Sequence, residues 1–336
     1  MPVRVAIDAM GGDFGFKPIL EALPILEKTD LAEILLVGNP EALEPCLDGT
    51  TKVTVVPSGS VVDMHEQASV ALKKKQDSSI SVATRLVREG RAQAVVSAGH
   101  TGATMASAVT TLGRLEGVKR PAITTVLPTG DHPIIVLDVG ANVDVRPEMF
   151  VQFAIMGSVY AEEVLERKQP RVGLLSIGTE ESKGNEQTRA AFPLLKNAPI
   201  SFVGNMEGRQ VFGGEFDVVV CDGFVGNILL KFGEATALHI YSALKEKIKS
   251  VAMANPSLIA PLKEHFEGMF KRMDHEEYGG APLLGVNGTC LVCHGGASAR
   301  AIANAAIYAA SSVEHKVNQR IVERLAELEQ SRLNPA

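Results

Sequence analysis

The sequence contains no tryptophan and only four tyrosines in 336 residues. With so few rings it offers no platform on which unpaired bases could stack. An excess of positive charge is missing too: 33 Lys and Arg stand against 39 Asp and Glu, a net charge of -6. Nucleic-acid backbones are bound by clustered cations, so nucleic acid is excluded as a partner. The four cysteines, at 46, 221, 290 and 293, do not form the disulfide framework of a small secreted domain. No run reaches the roughly 18 uncharged apolar residues that span a bilayer. The N-terminus places Arg4 ahead of a short strand pattern and lacks the apolar stretch of a signal peptide. These absences predict a cytoplasmic protein.

Familiar nucleotide signatures are also lacking. There is no G-x-x-x-x-G-K-[ST] and no G-x-G-x-x-G, so ATP or NAD binding by those devices is unsupported. Asp13-Phe14-Gly15 spells a kinase triplet without the loops that accompany it, and no G-x-S-x-G nucleophile elbow occurs. The run from Cys290 to His294 spells the C-x-x-C-H of haem attachment, which belongs to exported proteins. No second ligand pair at zinc spacing accompanies it. Neither haem nor zinc is expected at this run.

What is present reads as an enzyme core. Hydrophobic residues make up 46% of the chain, enough for a large α/β unit or two linked ones. Short apolar runs at 3–7, 34–37, 53–56, 94–96, 134–137, 172–177 and 218–221 read as strands. Several are nearly continuous, as strands covered on both faces are. Helical patterns alternate with them: one begins near Pro18, and others run over 79–89 and 147–167. The alternation predicts a mostly parallel sheet covered by helices. With no linker or repeat, 1–336 reads as one domain, from which a helix pair at roughly 238–276 protrudes.

Glycine-rich turns follow most of the strand patterns, and ligands of open α/β sheets bind outside the carboxyl ends of strands. Six segments carry polar chemistry at such turns. Asp8 and Asp13 bracket the first. Ser97, Gly99, His100, Thr101 and Gly102 offer hydroxyls and free amides where a helix starts, an arrangement suited to an anion. Asn142 and Asp144 lie in the third segment, and Gly178 and Lys183 in the fourth. Asp222, Gly226 and Asn227 repeat the strand-turn-helix plan, and His294 opens the last helical stretch. Together they suggest a phosphate-sized, amide-rich crevice with Lys183 and His294 as candidate cations or acids. Each also has a plainer reading: Lys183 as a solvated charge, His294 as a cap, and the Asp and Asn residues as satisfying their own turns.

In this order the segments DAMGGD (8–13), SAGHTGA (97–103), LDVGANVD (137–144), GTEESKGNE (178–186), CDGFVGN (221–227), YGGAPLLG (278–285) and HGGAS (294–298) resemble the bacterial phosphate acyltransferases. RPA at 120–122 and VQFAIMGSVYAEEV at 151–164 match them too. The resemblance implies a three-layer α/β/α sandwich similar to isopropylmalate (and isocitrate) dehydrogenase and to phosphotransacetylase. It implies a homodimer with no metal or nucleotide cofactor that moves a long acyl chain from acyl carrier protein to inorganic phosphate. The acyl-phosphate product would pass to a membrane-embedded glycerol-3-phosphate acyltransferase in phospholipid synthesis. His100 departs from the pattern, standing where the family more often has Asn.

On this reading Lys183, His294 and Asn227 are the catalytic expectations, as cation, proton donor and carbonyl or phosphate donor. Ser97, Gly99, Thr101 and Gly102 would bind the anion. Asp8, Asp13, Asn142, Asp144 and Asp222 would set the loops and cations. A protonatable His100 at the phosphate would make binding pH-dependent. In the helix pair, Val251, Met253, Leu258, Ile259 and Leu262 with Lys247, Lys249 and Lys263 read as a docking element. It suits an anionic lipid surface or the acidic carrier protein, and so peripheral attachment to the inner face of the cell membrane. Two rivals stay open: a related enzyme of the same fold, either a phosphotransacetylase acting on acetyl-CoA or a decarboxylating dehydrogenase whose acidic metal ligands and nicotinamide contacts have no place in the sequence, and a non-catalytic scaffold on the lipid side.

Overall fold

Apolar strands must be covered on both faces, and the chain achieves this with one long sheet between helical layers. The computed structural model describes residues 3–29, 32–47, 52–63, 65–129, 132–254 and 275–333. The strands are β1 (Val3–Asp8), β2 (Ala32–Gly38), β3 (Val53–Pro57), β4 (Ala94–Ser97), β5 (Ala122–Leu127), β6 (Ile134–Leu137), β7 (Arg171–Leu175), β8 (Ser201–Met206), β9 (Val218–Val220), β10 (Ala281–Leu284) and β11 (Thr289–Val292). They form a single sheet in the order β3-β2-β1-β4-β11-β10-β5-β6-β9-β7-β8.

All seven strand patterns read from the sequence are strands. β5, β8, β10 and β11 are additional, short runs interrupted by Thr, Gly or Pro. They also change the sheet. β10 runs antiparallel to β11 and to β5, and β5 runs antiparallel to β6. The other pairings are parallel. The sheet is therefore two parallel halves of opposite sense joined by an antiparallel seam, and its carboxyl-end loops fall into two groups.

The helices are α1 (Lys17–Leu26), α2 (Pro40–Leu43), α3 (Ala68–Lys74), α4 (Ser79–Arg88), α5 (Thr101–Thr111), α6 (Pro147–Glu163), α7 (Glu186–Lys196), α8 (Gly223–Ala254), α9 (Ala299–Glu314) and α10 (Val317–Leu333). In the first half, α1 and α9 cover one face, burying Ile19, Leu23, Ile302 and Ala306 against Val5, Ile7 and Val96. α4 and α5 cover the other through Ile80, Leu86, Ala103 and Leu112. In the second half α6, α7 and α10 share a core. Every residue of α6 from Phe150 to Ala161 is buried, as a helix apolar all round must be. It presses so closely on the sheet that a Cβ at Gly157 would stand 2.7 Å from Val218 Cγ1. The seam fixes where the two loop groups sit. α8 starts beside it, packing on β6 and leaving Leu238, Ile240 and Met253 exposed. The remainder of the expected helix pair, with Leu258, Ile259, Leu262 and Lys263, lies outside the described residues. Among those residues no helix is long and apolar enough to cross a membrane.

Candidate functional site

The first loop group follows the neighbouring parallel strands β1, β4 and β11. Asp8 ends β1 with its carboxylate buried. The Ser97 hydroxyl donates to it at 2.7 Å and the Met10 amide at 3.3 Å. Ser97 Oγ in turn accepts from the Gly99 amide and the Thr104 hydroxyl. Burial pushes the Asp8 carboxyl above the usual range, against the pull of its Ser79 and Ser97 donors. Asp8, Ser97 and Gly99 therefore spend their polar atoms on one another. The loops touch because Gly11 has no side chain: a Cβ there would lie 2.6 Å from Gly99 Cα. The Asp13 amide donates to Gly295 O at 2.8 Å, tying in the third loop.

His100 caps α5. Its Nδ1 accepts from the Ala103 amide at 3.2 Å, and Nε2 lies 3.0 Å from the Glu66 carbonyl, so Nε2 carries the proton and donates. Both ring nitrogens are engaged, which sets the side chain to hold the helix start. The amides of Thr101 and Gly102 make no bond among the described residues.

The second group follows β6, β9 and β7. Its hub is Asp138, fully buried, whose carboxylate takes N–H bonds from Ile123, Gly140, Ala141 and Asn142, and a fifth from Asn142 Nδ2. Burial raises the Asp138 pKa while these donors oppose the rise. Asn142 also donates to Pro121 O, so its amide is committed to the framework. Asp222 caps α8 by accepting from the Val225 amide at 2.9 Å. Gly226 lies against the Asp138 carbonyl, where a Cβ would fall 1.9 Å from the oxygen. Asp144 is exposed. So is Lys183, whose stem lies over Gly178.

The groups meet in a cleft of about 370 Å³ over the seam. Thr101 and His294 reach it from the first group and Asn227 from the second. Its apolar wall is Ile123, Val126, Val139, Leu230, Ala281 and Val292. His294 Nδ1 accepts from the Gly296 amide at 3.1 Å, which leaves Nε2 as the free nitrogen of the ring. Lys183, Gly178 and Asp144 do not line the cleft. Lys231 does, with its Nζ 3.0 Å from Glu234 Oε2, and sequence reasoning missed it. The signal was available: Lys231 stands four residues after Asn227, one turn along the same helix.

The C-x-x-C-H run also resolves. Cys290 packs with Val95 and Leu112, whereas Cys293 packs with Ala98 and Ile302, on the opposite side of the sheet. Burial pushes both thiols up to about 12. Two thiols facing opposite ways cannot hold one macrocycle.

A profile described as "Fatty acid synthesis protein" matches residues 3–320. A phosphate acyltransferase of Heliobacterium modesticaldum is 48% identical over 96% of this chain and 98% of its own length. One of Thermosynechococcus vestitus is 49% identical, covering 95% and 94%. Among solved structures, a phosphotransacetylase from Streptococcus pyogenes superposes with a TM-score of 0.67 at 17% identity, over 93% of this chain and 94% of the other. One from Staphylococcus aureus gives 0.62 at 16% identity, with the same coverage. These two bear out the expected α/β/α fold.

Proposed function

Since the chain belongs to the fatty acid synthesis protein family, whose relatives are phosphate acyltransferases, we propose that it transfers a long acyl chain from acyl carrier protein to inorganic phosphate. The observation that carries this reading is the cleft, where anion donors stand beside an apolar wall. A phosphate oxygen attacks the thioester carbonyl carbon, the carbon–sulfur bond breaks, and the thiolate leaves with a proton. Phosphate is a competent nucleophile near neutral pH, so the protein has to align it and stabilise the oxyanion. The amides of Thr101 and Gly102, at the start of α5, bind the phosphate. Asn227 donates to the carbonyl oxygen, and His294 Nε2 delivers the proton to sulfur. Lys231 supplies positive charge on the wall. Lys183, on the β7 loop at the same end of the sheet as Asn142 and Asp222, supplies it from outside.

The test is phosphate-dependent release of thiol from palmitoyl-acyl carrier protein, with mass detection of the product. Release with acyl-phosphate, absent without phosphate, is expected. No release from folded protein, or equal turnover of acetyl-CoA, would overturn the long-chain reading.

The product is a reactive mixed anhydride, suited to handing on to a glycerol-3-phosphate acyltransferase in the membrane. Peripheral attachment would serve that transfer. Supporting it, Val251 and Met253 are exposed at the described end of α8, near exposed Lys247 and Lys249. Changing Leu258 and Ile259 to Asp should abolish flotation with anionic vesicles; unchanged flotation would reject the attachment. Phe224, Ile228 and Phe232 form an exposed stripe on α8, which supports a second copy as its cover. Sedimentation at twice the chain mass is expected, and a monomer would refute it.

A further inference from the structure

An open groove of about 430 Å³ lies between the end of α3, the outer face of α4 and the last turn of α5. Leu72 gives it an apolar patch, and Ser81, Ser107, Thr110 and Thr111 line it with hydroxyls. Arg85 and Arg88 stand one turn apart on its α4 wall, both exposed. Lys73 and Lys74 end α3, and Arg91 follows α4, all exposed as well. None of these five cations has a carboxylate partner among the described residues; Arg85 donates to the Gln76 carbonyl at 2.6 Å. The acid on the groove is Glu89. In a chain of net charge -6 this is a concentration of unneutralised positive charge, and the transfer chemistry makes no use of it.

We propose that this groove docks the acyl carrier protein, an acidic partner, through an acidic helix laid against Arg85 and Arg88. The inference rests on the acyl-transfer reading and supplies it with a footprint. α5 links the two places. Its Thr101 end lines the cleft and its Thr111 end lines the groove. Eleven helical residues at about 1.5 Å each set them roughly 15 Å apart. A carrier held at one end of α5 has to reach the other with the flexible arm that bears its thioester. Charges at the rim of such an interface steer encounter more than they hold the complex, so the contact should be sensitive to salt. The helix pair around α8 is then left to the membrane.

The test uses the full chain and the double variant Arg85→Glu/Arg88→Glu, compared by thermal melt to establish that both are folded. Two quantities are read: the Kd for fluorescently labelled acyl carrier protein at low and high salt, and turnover of palmitoyl-pantetheine, which carries the same thioester without the protein. The variant should bind carrier at least 10-fold more weakly at low salt, lose most of the salt dependence, and turn over palmitoyl-pantetheine as the unmodified chain does. Unchanged carrier affinity would overturn the proposal. An equal loss on palmitoyl-pantetheine would overturn it as well, since the groove would then serve the cleft itself. A change in sedimentation of the variant would assign the groove to a second copy instead. If the unmodified chain binds carrier through these arginines yet transfers nothing, the docking stands and the transfer reading falls.

Discussion

Gly226→Ala should destabilise the protein by about 3 kcal/mol or more, at or beyond the upper end of overpacking costs. The added methyl carbon would stand 1.9 Å from the Asp138 carbonyl oxygen and 2.9 Å from Cys221 Sγ. The first contact is backbone, so no rotamer change relieves it. The backbone that must shift belongs to Asp138, whose carboxylate gathers five N–H bonds from β5 and its own loop. Moving it leaves buried donors unpaired, each costing about 1–3 kcal/mol. Gly233→Ala is the control. It lies in the same helix, and a Cβ there meets nothing within 4 Å. Alanine should leave stability unchanged or raise it by up to about 1 kcal/mol. Urea unfolding of both variants reads the difference, and equal midpoints would refute the hub role of Asp138.

His294→Ala should lower kcat for thiol release by about 100-fold or more, the usual contribution of a positioned proton donor. The loss should fall on kcat rather than on KM, because proton delivery to the leaving sulfur matters in the transition state and little in the ground state. Lysine variants test the charge. Lys231→Ala should raise the KM for phosphate more than Lys183→Ala, since Lys231 lines the cleft and Lys183 does not. A kcat within threefold of the unmodified chain would remove His294 from the chemistry. A larger effect at Lys183 would show that the β7 loop moves over the cleft during turnover.

Much of the candidate site could be read from residues in a row. Thr101, Asn227 and His294 stand at strand-to-helix turns, where local pattern marks both the turn and the polar side chain, and all three reach the cleft. The same reading gave no way to separate them from their neighbours. Ser97, His100, Asn142 and Asp222 have equally suggestive chemistry. In the fold their polar atoms hold Asp8, the start of α5, Asp138 and the start of α8 respectively. Whether a hydroxyl or an amide is spent on the framework depends on a partner distant in the chain: Ser97 and Asp8 are 89 residues apart. Lys231 and the arginines of α4 escaped for the opposite reason, since a cation on a helix looks like solvated surface until a wall is built around it.

The sequence by itself determined the family, the alternation of apolar strands with helices, and the turns that carry the chemistry, because each is written in neighbouring residues. The tertiary structure alone decided which turns meet. Two of the four strands outside the patterns read from the sequence, β5 and β10, reverse the sheet and create the seam over which the cleft opens. Their pairing joins segments more than 150 residues apart, as in Leu283 with Ile123. Such a contact arises from burying both faces of one long sheet at once, and no local periodicity records it.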